Sequence, residues 1–365
     1  MPSSSRKLLV ALIGLLLLGF VVYHASGMIH HLGDFSGTKL LDAVRHANPF
    51  LLVLSVLAIY SCYALRALRW KVFQQNLGPS HFATIYTMTL AGFSAVFLLG
   101  RAGEPVRPLL LARKEKLPVS GMFGIYVLER LFDTASAAVI AAIGLLLFES
   151  RAHLGETASK LQTAARTTGS LLFVGVVAAI AFLLYLRLHG TALLERRLQG
   201  WVQAHGWRAT VAGILLGFAR GVQTIRNWRD LTLSVFYSAL HWFVVLLVYL
   251  WVSHAFGGAL GTIDLGDAML VLAFTLVGSA VQLPGVGGGS QVASFLAYTT
   301  VFGVEKEAAA AASIVMWLIT FAACSLAGVP LLVREGFSLG KLREMAEREK
   351  EAAGESPSSQ GESAQ

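Results

Sequence analysis

Apolar runs of about 20 residues, the length one helix needs to cross a bilayer core, recur along this chain from residue 8 to residue 333. A soluble domain has no use for so many. Only 14% of the 365 residues are charged and 55% are hydrophobic, against roughly 25% charged in soluble domains. The chain lacks the polar surface to coat itself in water. An ordinary cytosolic enzyme, a disulfide-built secreted module and a disordered chain are excluded, and the fold class is an all-α polytopic membrane protein.

The formal charge of +8 does not point to nucleic acid, because Lys and Arg of membrane proteins collect in cytoplasmic loops. Cys62 and Cys324 lie inside apolar runs without metal-ligand spacing, and read as buried packing residues.

Six stretches read as full spans: 8–26, 50–68, 122–148, 169–187, 231–254 and 308–333. The first, flanked by Arg6 and Lys7, reads as a retained signal anchor rather than a cleaved signal. Two further apolar segments, 82–99 and 267–283, are expected to turn back as re-entrant hairpins. Gly100 to Pro105 breaks the first, and Pro284 to Gly289 the second. This arrangement puts both termini in the cytoplasm, with 22 Lys and Arg inside and 6 outside; Arg130, within a span, completes the 29. The asymmetry follows the positive-inside rule.

The unit at about 50–148 then runs span, hairpin, span, and the unit at about 231–333 runs the same elements in the opposite sense, an inverted repeat. Inverted repeats with broken helices near the midplane are a transporter design. Residues 1–335 form the integral membrane domain. Within it, 188–230 suits an amphipathic interfacial helix or a plain connector. Residues 336–365 read as a cytoplasmic charged helix and a disordered tail.

Charges within lipid cost at least ~2.5 kcal/mol each, so they mark function or a buried pair. The densest group is Arg101, Glu104 and Arg107, with Gly103 and Pro105 shaping the break. Close in sequence follow Glu129, Arg130 and Asp133, where Glu129 and Asp133 share a helix face at i, i+4. A cationic hairpin tip beside two carboxylates can bind a lipid phosphate while a carboxylate balances charge or carries a proton; the other reading is a salt-bridge network that fastens the hairpin. Arginine suits phosphate because its planar fork binds two oxygens at once.

The run Pro284, Gly285, Gly287, Gly288, Gly289 and Gln291 offers backbone N–H groups and a fresh helix N-terminus. Either Gly285, Gly287 and Gln291 help cradle a headgroup, or the glycines simply make a tight turn. Arg66 and Arg69, beside Trp70, read as interface anchors that snorkel. His241 reads as a hydrogen-bonded packing residue. No nucleophile motif, metal-ligand constellation or cofactor loop is present in the sequence, so neither an enzyme, a metal nor a cofactor is expected.

The blocks Arg101-Ala102-Gly103-Glu104 with Arg107, then Glu129-Arg130-Leu131-Phe132-Asp133, then the Pro284-Gly285-x-Gly287 turn resemble the lysylphosphatidylglycerol synthase transmembrane-region family of flippase-like proteins. The resemblance covers about residues 8–335. It implies a multi-pass protein of a prokaryotic cytoplasmic membrane that moves a phospholipid, an aminoacyl-phospholipid or a polyprenyl or glycolipid. Gln291 stands where that family usually has Glu. The soluble aminoacyl-transfer domain of full-length synthases has no counterpart here, which implies a stand-alone translocator. The alternatives are an accessory subunit that serves a separate lipid-synthesising enzyme and an intramembrane lipid-modifying enzyme.

Overall fold

The computed structural model describes residues 36–147, 163, 166–178, 181, 200–201, 227–279, 282–283 and 287–336. The expected first span, most of segment 188–230 and the C-terminal helix and tail lie outside the described residues. Among those described, the architecture is helical: α1 (Gly37–His46), α2 (Pro49–Gln74), α3 (Phe82–Leu99), α4 (Val106–Glu115) and α5 (Val119–Leu147), a shorter apolar helix α6 (Arg166–Ala178), then α7 (Trp228–Ala255), α8 (Leu265–Gly278), α9 (Gly289–Leu296), α10 (Lys306–Trp317) and α11 (Ala323–Arg334).

Among the described residues, five helical stretches are long and apolar enough to cross a membrane: Pro49–Gln74, Phe82–Gly103, Val119–Leu147, Trp228–Ala255 and Lys306–Arg334. Four coincide with spans read from the sequence, and α6 occupies the start of another. The remaining stretch, Phe82–Gly103, is the segment expected to turn back. It is long enough to cross, and the chain reverses after it. Helix α3 gives way to a 3-10 turn at Gly100–Gly103, α4 runs back along it, and Glu115 at the end of α4 meets His81 before the start of α3. The His81 backbone N–H donates to Glu115 Oε1 at 3.4 Å, and its Nδ1 lies 3.0 Å from Oε2.

Local chemistry explains where the elements begin. Asn48 caps α2 by accepting from the N–H groups of Phe50 and Leu51, and Pro49 occupies the first turn, where no N–H is missed. Asp264 and Asp267 form a reciprocal capping box at the start of α8. Between α8 and α9 a two-residue antiparallel ladder pairs Gln282 with Gly288 and Leu283 with Gly287.

The packing exchanges partners between the two halves of the chain. Helix α2 packs along α7, α3 packs on α11, and α8 packs on α5. The α3–α11 contact is close enough that a side chain on Gly328 would collide with the Leu90 carbonyl and the Ser94 hydroxyl. The two reversals also meet: the Gly100–Gly103 turn packs on Gln282–Leu283, and Arg101 Nη2 donates to the Ser279 carbonyl at 3.3 Å.

The last long helix is interrupted by a π-helical segment at Leu318–Ala322, a local insertion that disturbs carbonyl pairing. Hydroxyls from neighbouring helices occupy carbonyls there: Tyr60 donates to Ala323 at 2.7 Å, Tyr63 to Thr320 at 3.4 Å and Ser94 to Cys324 at 3.3 Å. Exposed Val53, Leu57, Phe243 and Leu326 give the bundle the apolar exterior that a lipid environment requires.

Candidate functional site

Arg66 and Arg69 lie three residues apart on α2 and therefore share a face, as do Glu129 and Asp133, four apart on α5. These faces meet. Arg66 places Nη1 2.8 Å from Glu129 Oε1 and Nη2 2.9 Å from Asp133 Oδ2. Arg69 places Nη2 2.7 Å from Asp133 Oδ1 and 3.2 Å from Glu129 Oε1, while its Nη1 donates to Ser238 Oγ on α7 at 2.8 Å. Arg107, delivered by α4, closes the group with two bonds to Glu129, the Nη1 bond being 3.3 Å. His241 Nε2 on α7 accepts from Arg66 Nε at 3.3 Å.

Aromatic rings line the guanidiniums. Arg107 lies 4.4 Å from the Trp70 ring centre and 5.3 Å from that of Phe93, and Arg66 lies 5.1 Å from Phe93, within the range of cation–π attraction. Gly92 on α3 is what lets Arg107 in, since a side chain there would overlap the Arg107 stem. Burial this complete is tolerated only because each carboxylate is multiply paired.

Beside this network lies a cavity of about 40 Å³, lined by Gly92, Phe93, Val96, Glu104, Arg107, Tyr126 and Arg130. It has room for a few waters. Arg130 is its loosest cation: Nη2 stands 3.7 Å from Asp133 Oδ2, and its buried Nε has no hydrogen-bond partner among the described residues. Its guanidinium lies 5.4 Å from the Tyr126 ring centre. Tyr126 in turn donates its hydroxyl to Glu104. Four guanidiniums (Arg66, Arg69, Arg107, Arg130) thus share two buried carboxylates (Glu129, Asp133), and with Glu104 on the cavity wall counted as well, one positive charge is left over.

The family described as "Lysylphosphatidylglycerol synthase TM region" matches residues 7–328, a stretch that includes every residue of this network. The chain belongs to this family. It is similar to a "UPF0104 membrane protein" of Methanothermobacter thermautotrophicus, with 24% identity over 325 residues, covering 83% of this chain and 90% of that protein. No solved structure matches. Family and fold together make it an integral multi-pass membrane protein.

The candidate residues read from the sequence fall into three places. Arg107, Glu129, Asp133 and Arg130 come together in the network, with Glu104 across the cavity. Arg101 stands apart at the hairpin tip: its side chain is 60% exposed, 4.0 Å from Glu104 and bonded to Ser279. Gly103 ends the 3-10 turn and Pro105 immediately precedes α4. At the second reversal, Gly287 and Gly288 sit in the two-residue ladder, Gly289 opens α9, and the Gln291 side chain accepts from the Gly288 N–H. Gln291 thereby caps a helix. Pro284 and Gly285 lie outside the described residues.

The reading of Arg66 and Arg69 as snorkelling anchors is corrected. Arg69 is 1% exposed, and the Arg66 side chain only 11%; both turn into the bundle toward carboxylates. Their i, i+3 spacing opposite the i, i+4 acids was the available signal, hidden by their place at the end of an apolar run. His241 is indeed buried and hydrogen-bonded. Among the described residues no group of three His, Cys, Asp or Glu side chains is placed to hold a metal ion.

Proposed function

We propose that the protein is a translocator that carries a lipid headgroup across the cytoplasmic membrane of a prokaryote, with the headgroup phosphate seated against Arg130 and Arg107. The observation that carries this reading is the excess of guanidinium over carboxylate beside a small cavity. A buried excess of positive charge is costly by itself and is relieved by an anion. Arginine provides the fork that a phosphate accepts.

At about 40 Å³ the cavity is too small for a whole headgroup, so on this reading it widens when a lipid enters. Opening it separates the hairpin formed by α3 and α4 from α5 or from the Ser279 turn. The exchanged packing supports reading the halves as inverted repeats that rock against each other, with cytoplasmic termini and the acyl chains left in the membrane. On this reading the chain performs no covalent chemistry, and a separate enzyme makes the lipid.

The test is reconstitution of the full chain into liposomes with headgroup-labelled phospholipids. Accelerated exchange between leaflets, reduced at least tenfold by Arg130→Ala, is the expected result. Vesicles no faster than protein-free ones would defeat the translocator reading. A chemically altered lipid would instead identify an enzyme, and a stoichiometric co-purifying protein without lipid movement an accessory subunit.

A further inference from the structure

We propose that Glu104 makes the cavity selective for phosphodiester over phosphomonoester lipids, an inference that rests on reading the cavity as a headgroup site. Two guanidiniums and one carboxylate line the same small space, those of Arg107, Arg130 and Glu104. Arg107 is already engaged by Glu129, which leaves Arg130 the freer of the two to meet the ligand. Counting the whole group, four guanidiniums face Glu129, Asp133 and Glu104, which leaves one positive charge. A single negative charge closes that balance. A second one overshoots it.

The surroundings of Glu104 keep its charge in play. Tyr126 on α5 donates a hydrogen bond to it, which leaves its formal charge in place. Arg101, on the 3-10 turn, stands 4.0 Å away with a side chain that is 60% exposed, where water screens the pair. Arg101 is also held by the Ser279 carbonyl from the other hairpin. Arg107 on α4 and Arg130 on α5 are the remaining charged groups on the cavity wall among the described residues.

A phosphodiester carries one negative charge, whereas a phosphomonoester carries nearly two above its second pKa of about 6. The cost of desolvating the ligand grows with the square of its charge, whereas attraction to one surplus positive charge grows only linearly, so with the Glu104 carboxylate offsetting a guanidinium the second charge costs more than it gains. Glu104 is therefore the repulsive element of the site, and discrimination comes from what it rejects.

The experiment titrates the purified full chain at pH 8 with dihexanoyl phosphatidylmethanol and dihexanoyl phosphatidic acid, which differ by one methyl group on the phosphate. The diester is expected to bind about tenfold more tightly to the wild type. Because Coulomb energy scales with ligand charge, Glu104→Gln should tighten the diester about threefold and the monoester about tenfold, shrinking the preference to about threefold. Equal binding of both lipids by the wild type, or an unchanged preference in Glu104→Gln, overturns the selectivity alone. Binding of neither lipid overturns the headgroup reading and this inference with it. Dimethyl phosphate binding as tightly as the lipid diester would mark a free-anion site and overturn the lipid assignment. The wild-type comparison stands whether or not the variant folds.

Discussion

Arg69 Nη2 lies 2.7 Å from Asp133 Oδ1, joining α2 to α5 through two side chains that solvent barely reaches. Removing one partner leaves a buried charge with too little compensation. Arg69→Met is therefore expected to cost about 3–5 kcal/mol, seen as a lower thermal unfolding midpoint in detergent. Combining it with Asp133→Leu should recover part of the loss, since an uncharged pair is better tolerated than half of a charged one. A double variant less stable than the single one would contradict this account.

Arg130 and Arg66 should separate transport from stability. Arg66 is bound to both carboxylates and to His241, so Arg66→Ala lowers the unfolding midpoint strongly. The Arg130 side chain is 39% exposed and touches its nearest carboxylate at only 3.7 Å. Arg130→Ala should leave the midpoint within about 2–4 °C of wild type, the shift of a change near 1 kcal/mol, while lipid exchange falls at least tenfold. Arg130→Lys keeps the charge but loses the fork, and should restore exchange only in part.

Gly328 marks a place where two helices touch backbone to side chain. Gly328→Ala forces α11 off α3, because the added carbon collides with Leu90 and Ser94; the expected cost is about 1–3 kcal/mol. Gly124, in α5, has open space around it, and Gly124→Ala should be neutral or stabilising by up to about 1 kcal/mol. Paired thermal unfolding of the two variants checks the contrast.

Gln291 caps α9 by accepting from the Gly288 N–H. Gln291→Ala is expected to cost about 0.5–2 kcal/mol and to slow lipid exchange no more than that loss of stability explains. Strongly slowed exchange at an unchanged unfolding midpoint would instead assign Gln291 to the headgroup.

The charges of α4 and α5 were legible in the sequence because their spacing is local: Glu129 and Asp133 at i, i+4, and Arg107 just past a Gly–Pro break. The partners on α2 and α7 were not. Arg66 and Arg69 stand where an apolar run gives way to polar residues, and one-dimensional spacing cannot say whether such a face turns to headgroups or to another helix. The helix continues to Gln74, and this longer course carries both arginines into the bundle. The reversal after α3 was readable from Gly100 to Pro105. Its contact with the Ser279 turn, some 180 residues away, depends on tertiary packing alone.

The exchanged packing of the two halves leaves neither half complete without the other. Helix α3 finds its partner in α11, and α5 finds its partner in α8, so each half supplies a wall that the other half needs. A chain ending before residue 228 would present the α3 surface around Ser94 with nothing to cover it, and a chain starting there would leave the α8 surface around Leu270 equally bare. Two such fragments made separately in the same cell should assemble into the working protein, whereas either one alone should be lost to degradation.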